Sequence, residues 1–384
     1  MGERALWIGL MSGTSADAID AAVVRIGEGP GDVELLALHS EPLEDGLRQR
    51  IHALVEGSVA LRELLQLDAL LGERFAAAAL GAARAAGVRI EDVRGIGSHG
   101  QTVAHHPEPE VRGTLQLGSA AVIHARTGRP VVSDFRSADI AAGGQGAPLT
   151  PFFHFHRFAD ARERRAVLNI GGFSNVTYLP DRDPAHVLAF DPGPGNALLD
   201  RAARWASSGR ERFDRDGARA ARGSALRALV DEWLREPYFA RRPPKSTGHE
   251  LFGEAFFARA RSAVLARGGG ADDLFASLLE LTVESVARAA ELFFPALPER
   301  WLLCGGGARN PVLVERLRSR LAPALLDSTD AHGVPSEALE AIAFAVLGRC
   351  ASRGEPSNLP AATGAAQAVS LGVANPAGAF RGLE

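Results

Sequence analysis

Lysine is almost missing from this 384-residue chain: Lys245 stands against 41 arginines in a total of 42 basic residues. That scarcity excludes several phosphate chemistries at once. A P-loop needs G-x-x-x-x-G-K-[ST], and Lys245 follows Pro243-Pro244 instead. A protein-kinase fold needs the strand lysine of a V-A-I-K motif, which is also absent. Schiff-base chemistry has only Lys245 to rest on. Cysteine is scarce too: Cys304 and Cys350 form neither a C-x-x-C motif nor a disulfide framework, which fits a reducing compartment. No run of about 18 apolar residues is free of charge, so no membrane span is expected. The opening Met1-Gly2-Glu3-Arg4 leads into an apolar run that Ser12 and Gly13 soon interrupt, unlike a secretory signal. A formal net charge of −4 leaves no general basic footprint for nucleic acid. His105-His106 and His154-x-His156 lack carboxylate or cysteine companions at useful spacing, so no zinc site is expected. The absences together predict a cytoplasmic protein with neither a nucleic-acid nor a membrane partner, and no metal ligands of its own.

What is present reads as α/β. With 46% apolar residues, the length suits two or three domains with ample core. Residues 5–10 form an apolar strand, 11–17 a tip of turn formers, and 19–26 a second strand. Apolar residues then recur at helical spacing from about Leu43 to Ala86. Residues 93–101 and 131–136 read as strands that end in small, polar or charged residues. After the charged stretch Arg162 to Arg165, the opening pattern returns: strand 167–170, a tip at Gly171 to Asn175, strand 176–179. This echo suggests an internal repeat. Asp272 to Phe294 reads as a long amphipathic helix, most simply a core helix. Strand 301–304 then runs into Gly305-Gly306-Gly307, and a helix follows from Pro311 to Leu321 with Asn310 as its cap.

Ligands of α/β folds sit beyond strand carboxyl ends, and the candidate chemistry falls at such places. The Ser12-Gly13-Thr14-Ser15 tip presents backbone N–H groups and hydroxyls suited to phosphate oxygens, or makes a plain hairpin turn. Asp191 lies among two prolines and two glycines. It is either a held general base, or a residue that caps a helix starting near Ala197 or stabilises the turn. Gly305 to Gly307 admits close approach of a nucleotide but lacks dinucleotide spacing. Asp134, Arg136 and Asp139 either bind a polar substrate or form a structural ion pair. His99 suits substrate contact better than metal. Glu337 and Glu340 carry charge that would complement a helix N-terminus.

These segments, in this order, resemble the anhydro-N-acetylmuramic acid kinase family of the sugar kinase/Hsp70/actin superfamily. The carriers are Gly9 to Ser15 with Asp17 and Asp20, Ser98 to Thr102, Asp134-Phe135-Arg136 with Gly143 to Leu149, and Asn169 to Gly172. Asp191 with Gly193-Pro194-Gly195-Asn196, Pro243 to Gly248, and Cys304 to Gly307 with Asn310 complete the series. The resemblance implies two duplicated actin/hexokinase-like (ribonuclease H-like) α/β domains with ATP in the cleft between them. It places domain I at 1–145 with 356–384, and domain II at 146–355.

It further implies that Ser12, Gly13, Thr14, Ser15, Ala16, Asp17 and Asp20 form the first phosphate hairpin. Asn169, Gly171, Gly172, Gly193, Gly195 and Asn196 would surround the second, and Gly305, Gly306, Gly307 and Asn310 the nucleoside. Asp191 is implied as general base with Glu340 as a second carboxylate, and His99, Gln101, Asp134 and Arg136 as sugar contacts. The implied reaction uses Mg²⁺ and ATP to open the 1,6-anhydro ring and phosphorylate O6, in a cytoplasmic homodimer. Ala16, Ala18 and Pro192 depart from the family's usual leucine, glycine and threonine. A positive φ at position 18 would strain alanine. The role of Lys245 stays unassigned. Two other readings remain at this point: a kinase for a sugar with a free hydroxyl, and a non-catalytic nucleotide-binding module.

Overall fold

The computed structural model describes residues 4–13, 15–57, 59–107, 110, 112–376 and 379–380, and Thr14 lies outside them. The chain divides into two compact units, Met1–Phe158 with Ala338–Glu384 and Ala159–Glu337.

The first unit is built on a seven-stranded sheet. β1 (Ala5–Ser12), β2 (Ala18–Ile26) and β3 (Val33–Pro42) form an antiparallel meander. β4 (Val93–His106) pairs parallel with the other side of β1, β5 (Gly113–Leu117) folds back on β4, and β6 (Val131–Ser133) pairs parallel with β4. The short strand Val373–Asn375 closes the edge beside β6. Alternation along β1 sorts its residues between two faces. Ile8 and Leu10 join a core with Leu67, Leu71, Phe75, Ala78 and Ala82 of the helix Leu61–Ala85, whose three- and four-residue spacing makes one stripe.

The opposite face receives the helix Leu339–Ser352 at backbone distance. A Cβ on Gly9 would sit 1.8 Å from Ala341 O, and one on Gly97 would sit 2.0 Å from Phe344 O. Only glycine allows that approach. This packing binds the helix to the first sheet, so the boundary expected at 355/356 falls at 337/338. The boundary expected at 145/146 falls at 158/159 because the helix Pro151–Phe158, with Phe152, Phe153 and Phe158 buried, also belongs to the first unit.

The second unit holds β7 (Arg165–Ile170), β8 (Phe173–Leu179), β9 (Leu188–Pro194), β10 (Arg300–Cys304) and β11 (Leu325–Ser328). The sheet order is β9-β8-β7-β10-β11, antiparallel through β9, β8 and β7 and parallel through β7, β10 and β11. The core strands of the first sheet run β3-β2-β1-β4-β6 with the same directions. Both orders reduce to 3-2-1-4-5, the ribonuclease H-like arrangement, so the echo in the sequence is a duplication of topology. The expected long helix is Ala271–Phe293, buried along most of its length. Its Glu280 is 2% exposed and meets Arg227 at 2.6 Å and Arg316 at 2.8 Å, pairing that a buried carboxylate requires.

Candidate active site

In the first unit, β1 ends at buried Ser12, with Gly13 and Ser15 exposed beyond it. Ser12 Oγ donates to Gln101 Oε1 at 2.7 Å, and Gln101 Nε2 donates to Gly13 O at 3.1 Å. Both ends of the Gln101 amide thus hold the base of the tip, and Gln101 supports the hairpin from β4. Ala16 N donates to Gly13 O at 3.0 Å, and Ala16 carries φ 51°. Alanine in that region costs about 1–2 kcal/mol. Ala18 starts β2 without a positive φ, so the strain considered for position 18 does not arise there. Asp17 pairs with Arg48 at 2.7 Å, and Asp20 accepts from Ser40 Oγ.

His99 is buried on β4, with Nδ1 2.9 Å from Gly100 O and Nε2 2.8 Å from Arg136 Nη2 and 3.0 Å from Arg136 Nε. A guanidinium only donates, so Nε2 presents its lone pair and the proton sits on Nδ1. Burial first, and then the Arg136 charge, hold His99 well below its ordinary value and keep it neutral. Arg136 Nη1 donates to Gly146 O at 2.7 Å. Burial presses the guanidinium down to about 10 against the pull of Glu340 and Asp139, so it stays cationic at neutral pH. Glu340, in the first turn of its helix, thus acts on Arg136 within this unit. Asp139 is fully buried and accepts from Gly146 N (2.8 Å), Asn358 Nδ2 (2.7 Å) and Thr363 Oγ1 (2.7 Å). Of its two readings, the structural one describes these contacts.

Asp134, at φ 54°, accepts from Ser137 Oγ at 2.6 Å. It lines a cavity of about 370 Å³ with His99, Ser98, Asp68, Thr114, Gln116 and Asn375. Ser98 Oγ is buried with no hydrogen-bond partner among the described residues. Hydroxyls, amides and carboxylates converging on one cavity suit a polyhydroxylated ligand. Asp68, Thr114 and Gln116 carried no expectation from sequence, because they lie in no motif and approach His99 only through the fold.

In the second unit, two loops close on each other at the end of β7. Gly195 N and Ala197 N donate to Gly172 O at 3.0 and 2.9 Å, and Asn196 N donates to Gly171 O at 2.9 Å. A Cβ on Gly195 would lie 2.5 Å from Gly171 O, so glycine is required there. Gly305 has φ 76°, and a Cβ on it would strike Asn169 Oδ1, while one on Gly307 would strike Ile170. Gly171 and Gly172 differ: a Cβ on either would meet nothing closer than 3.6 Å, and one on Gly13 or Gly306 would meet nothing within 4 Å. None of these four has a positive φ. Without a Cβ, these positions let a ligand come close to the backbone, as a phosphate-binding turn needs, although Gly171 N itself donates to Phe173 O at 3.2 Å. Asn310 Oδ1 accepts from Val312 N and Leu313 N, both at 3.1 Å, and so caps the helix Pro311–Leu321.

Asp191 lies inside β9 rather than at its end. Ser174 pairs with Gly193 and Val176 with Phe190, so Asp191 and Pro192 together face the single residue Asn175. This is a β-bulge on an edge strand, a place where proline is tolerated and a side chain is re-aimed. Asp191 N donates to Lys245 O at 3.0 Å, Thr247 N donates to Asp191 Oδ2 at 3.0 Å, and Tyr238 OH donates to Asp191 O at 2.7 Å. Burial pushes the Asp191 carboxyl up to about 7, opposed by the Thr247 hydrogen bond and the Lys245 charge. A carboxyl poised near neutral pH is suited to proton transfer. The helix-cap reading fails, since the residue preceding the helix Ala197–Ala206 is Asn196.

Among the described residues, no group of three or more His, Cys, Asp or Glu is placed to hold a metal ion. No helix of the described residues is long and apolar enough to cross a membrane. The family model for anhydro-N-acetylmuramic acid kinase matches residues 5–377. A protein of that name from Cyanothece sp. is 45% identical over 377 residues, covering 95% of this chain and 98% of its own length. Another, from Xanthomonas campestris pv. campestris, is 46% identical over 376 residues, covering 97% of each chain. Among solved structures, the (R)-2-hydroxyglutaryl-CoA dehydratase component A of Acidaminococcus fermentans superposes with a TM-score of 0.47 at 11% identity, over 90% of this chain and 97% of that one. With near-half identity sustained over almost its whole length, this chain belongs to the anhydro-N-acetylmuramic acid kinase family.

Proposed function

We propose that the chain uses ATP and water to open the 1,6-anhydro ring of anhydro-N-acetylmuramic acid and phosphorylate O6, giving N-acetylmuramic acid 6-phosphate in cell-wall recycling. A 1,6-anhydro sugar has no free 6-hydroxyl, so phosphoryl transfer must be coupled to ring opening. Asp191 takes a proton from water, and the water oxygen bonds to C1 as the C1–O6 bond breaks. The freed O6 bonds to the γ-phosphorus as the bond to the leaving ADP oxygen breaks. One water is consumed, and the proton on Asp191 later returns to solvent.

The observation that carries this reading is the half-buried Asp191, fixed by Thr247 N and raised to about 7. A base of that acidity is deprotonated often enough to act and strong enough to accept a proton from attacking water. The first unit supplies the sugar-binding groups, with His99 and Asp134 in the cavity, Arg136 orienting His99, and Glu340 facing Arg136 electrostatically. The uncrowded glycines 13, 172 and 306 leave room for phosphate oxygens and nucleoside to approach the backbone. Mg²⁺ would enter as the ATP complex, held chiefly by phosphate oxygens and needing no more than one or two carboxylates from the chain. A cytoplasmic homodimer completes the reading, to be checked by fractionation and light scattering. Cys304 and Cys350 are both buried and joined by no disulfide, which suits a reducing compartment.

Incubation with ATP, the anhydro sugar and ¹⁸O-labelled water should place the label at C1 of a product heavier than substrate by water plus the phosphoryl group. ATP should be consumed only when sugar is present. A phosphorylated product free of label would overturn the direct attack of water. ATP hydrolysis indifferent to sugar would overturn the kinase reading.

A further inference from the structure

The one lysine of the chain lies in a chemically unusual place. Lys245 is 4% exposed, and its Nζ donates to Tyr238 O and Phe239 O, both at 3.3 Å. Three rings surround the ammonium: Tyr238 and Phe293 at 4.7 Å and Phe190 at 5.7 Å from ring centroid to Nζ. Phe190 immediately precedes Asp191 on β9. The backbone carbonyl of Lys245 accepts from Asp191 N, and two residues on, Thr247 N donates to the Asp191 carboxylate. Tyr238 closes the loop by donating its hydroxyl to Asp191 O. Lys245 therefore ties the 238–239 turn, the 245–247 segment and β9 into one clamp around a single carboxylate.

We infer that Lys245 is the positioning residue of Asp191: its caged ammonium locks the segment that grips the carboxylate and sets that carboxylate's acidity. The inference rests on Asp191 being the reactive carboxylate of the proposed function, but the clamp itself is testable without turnover. The composition supports it. In a chain that uses arginine at the other 41 basic positions, lysine stands where a compact ammonium is needed. A cage of two carbonyls and three rings satisfies a point charge, whereas the five N–H donors of a guanidinium would find too few acceptors.

The electrostatics agree with the geometry. Burial pushes Lys245 down to about 8, with Asp191 pulling it up and Arg241 pushing it down. Lys245 in turn lowers Asp191, which Glu250 of the helix His249–Phe252 raises. Tyr238 faces the pair as a neutral phenol, its acidity suppressed by burial and by Asp191. The helix Ala271–Phe293 contributes the uncharged Phe293 ring, and β8 presents Asn175 opposite the bulge. The charged partners are thus Lys245, Glu250 and Arg241.

The uniqueness of Lys245 makes the test clean, because ¹⁵N-lysine labelling of the full chain yields one side-chain signal. In the wild-type protein that signal should titrate near pH 8, well below the ordinary lysine value, and Asp191→Asn should move the midpoint lower. An ordinary midpoint, or one indifferent to Asp191→Asn, overturns the clamp. The second arm is the pH profile of kcat. Lys245→Met removes the charge and keeps the length, so the acid limb should move to higher pH by at least about half a unit. Lys245→Arg keeps the charge, so its limb should stay near the wild-type position even if turnover falls. A folded Lys245→Met enzyme with an unmoved limb overturns the proposal, and should that variant not fold, the wild-type and Asp191→Asn titrations still decide it. If Asp191→Asn turns over normally, the base assignment falls while the titration continues to judge the clamp.

Discussion

Each unit sets a buried cation against a candidate site residue, and the two solve that problem differently. In the first unit, Arg136 spreads its fork over His99 Nε2 and Gly146 O. In the second, Lys245 places a point charge between two carbonyls and three rings, beside Asp191. Arginine orients its partner through directed hydrogen bonds and fixes a tautomer. Lysine acts through the field and through the backbone of its own segment. The first cation lowers a base that is kept neutral, and the second lowers an acid that burial has raised. What differs is therefore the function of the cation, binding geometry in one unit and acidity in the other.

Substitutions can break that contrast. The largest effect should follow Asp191→Asn, which removes the proton acceptor and should cost at least about 10²-fold in kcat. Near-normal turnover would move the base elsewhere. The same variant should be more stable at high pH. The folded protein holds the Asp191 proton to about pH 7, whereas an unfolded carboxyl loses it near 4, so the folded state binds more protons between those values. Stability conferred by this group therefore falls as pH rises from about 4 to about 7, then levels. The melting temperature of Asp191→Asn should match wild type at pH 4 and exceed it at pH 8.

Arg136→Lys should come next. Arg136 reaches His99 through Nε and Nη2 and Gly146 O through Nη1, a span that one ammonium nitrogen in its place lacks, and loss of one charge-assisted hydrogen bond corresponds to about tenfold in affinity. Steady-state kinetics should show this chiefly in the KM for sugar. His99→Gln retains a neutral acceptor toward Arg136, so it should lose less than about tenfold, and the wild-type kcat/KM should show no histidine limb between pH 5 and 7. A histidine limb would mean that His99 titrates and that its lone pair is not committed to Arg136. The smallest effect belongs to Asn310→Ala, about 1 kcal/mol of stability from loss of the helix cap. An unchanged KM for ATP in that variant would assign Asn310 to the helix alone.

The duplication was visible in the sequence as two apolar–tip–apolar passages, because strands and glycine-rich turns declare themselves locally. β3 and β11 were not. Most β3 residues are half-buried, so the run Val33–Pro42 lacks the clean alternation of a half-solvated strand, and Leu325–Ser328 is only four residues long. The helix Leu339–Ser352 was recognisable by composition, but its membership in the first unit was not, because that depends on Gly9 and Gly97 meeting its backbone across some 250–330 residues of chain. Asp191 stood out through its prolines and glycines. Its bulge did not, since two-against-one pairing exists only once β8 lies beside β9.

The near-absence of lysine was decided by sequence alone, and with it the exclusion of lysine-cradled phosphates and the order of motifs that marks the family. What the one remaining lysine does was decided only by the tertiary structure. Residues 190, 238, 245 and 293 are separated by up to about a hundred positions, and burial raises or lowers a pKa only where packing removes water. Sequence supplies the charge, but the enclosure that gives it leverage over Asp191 is a property of the folded chain.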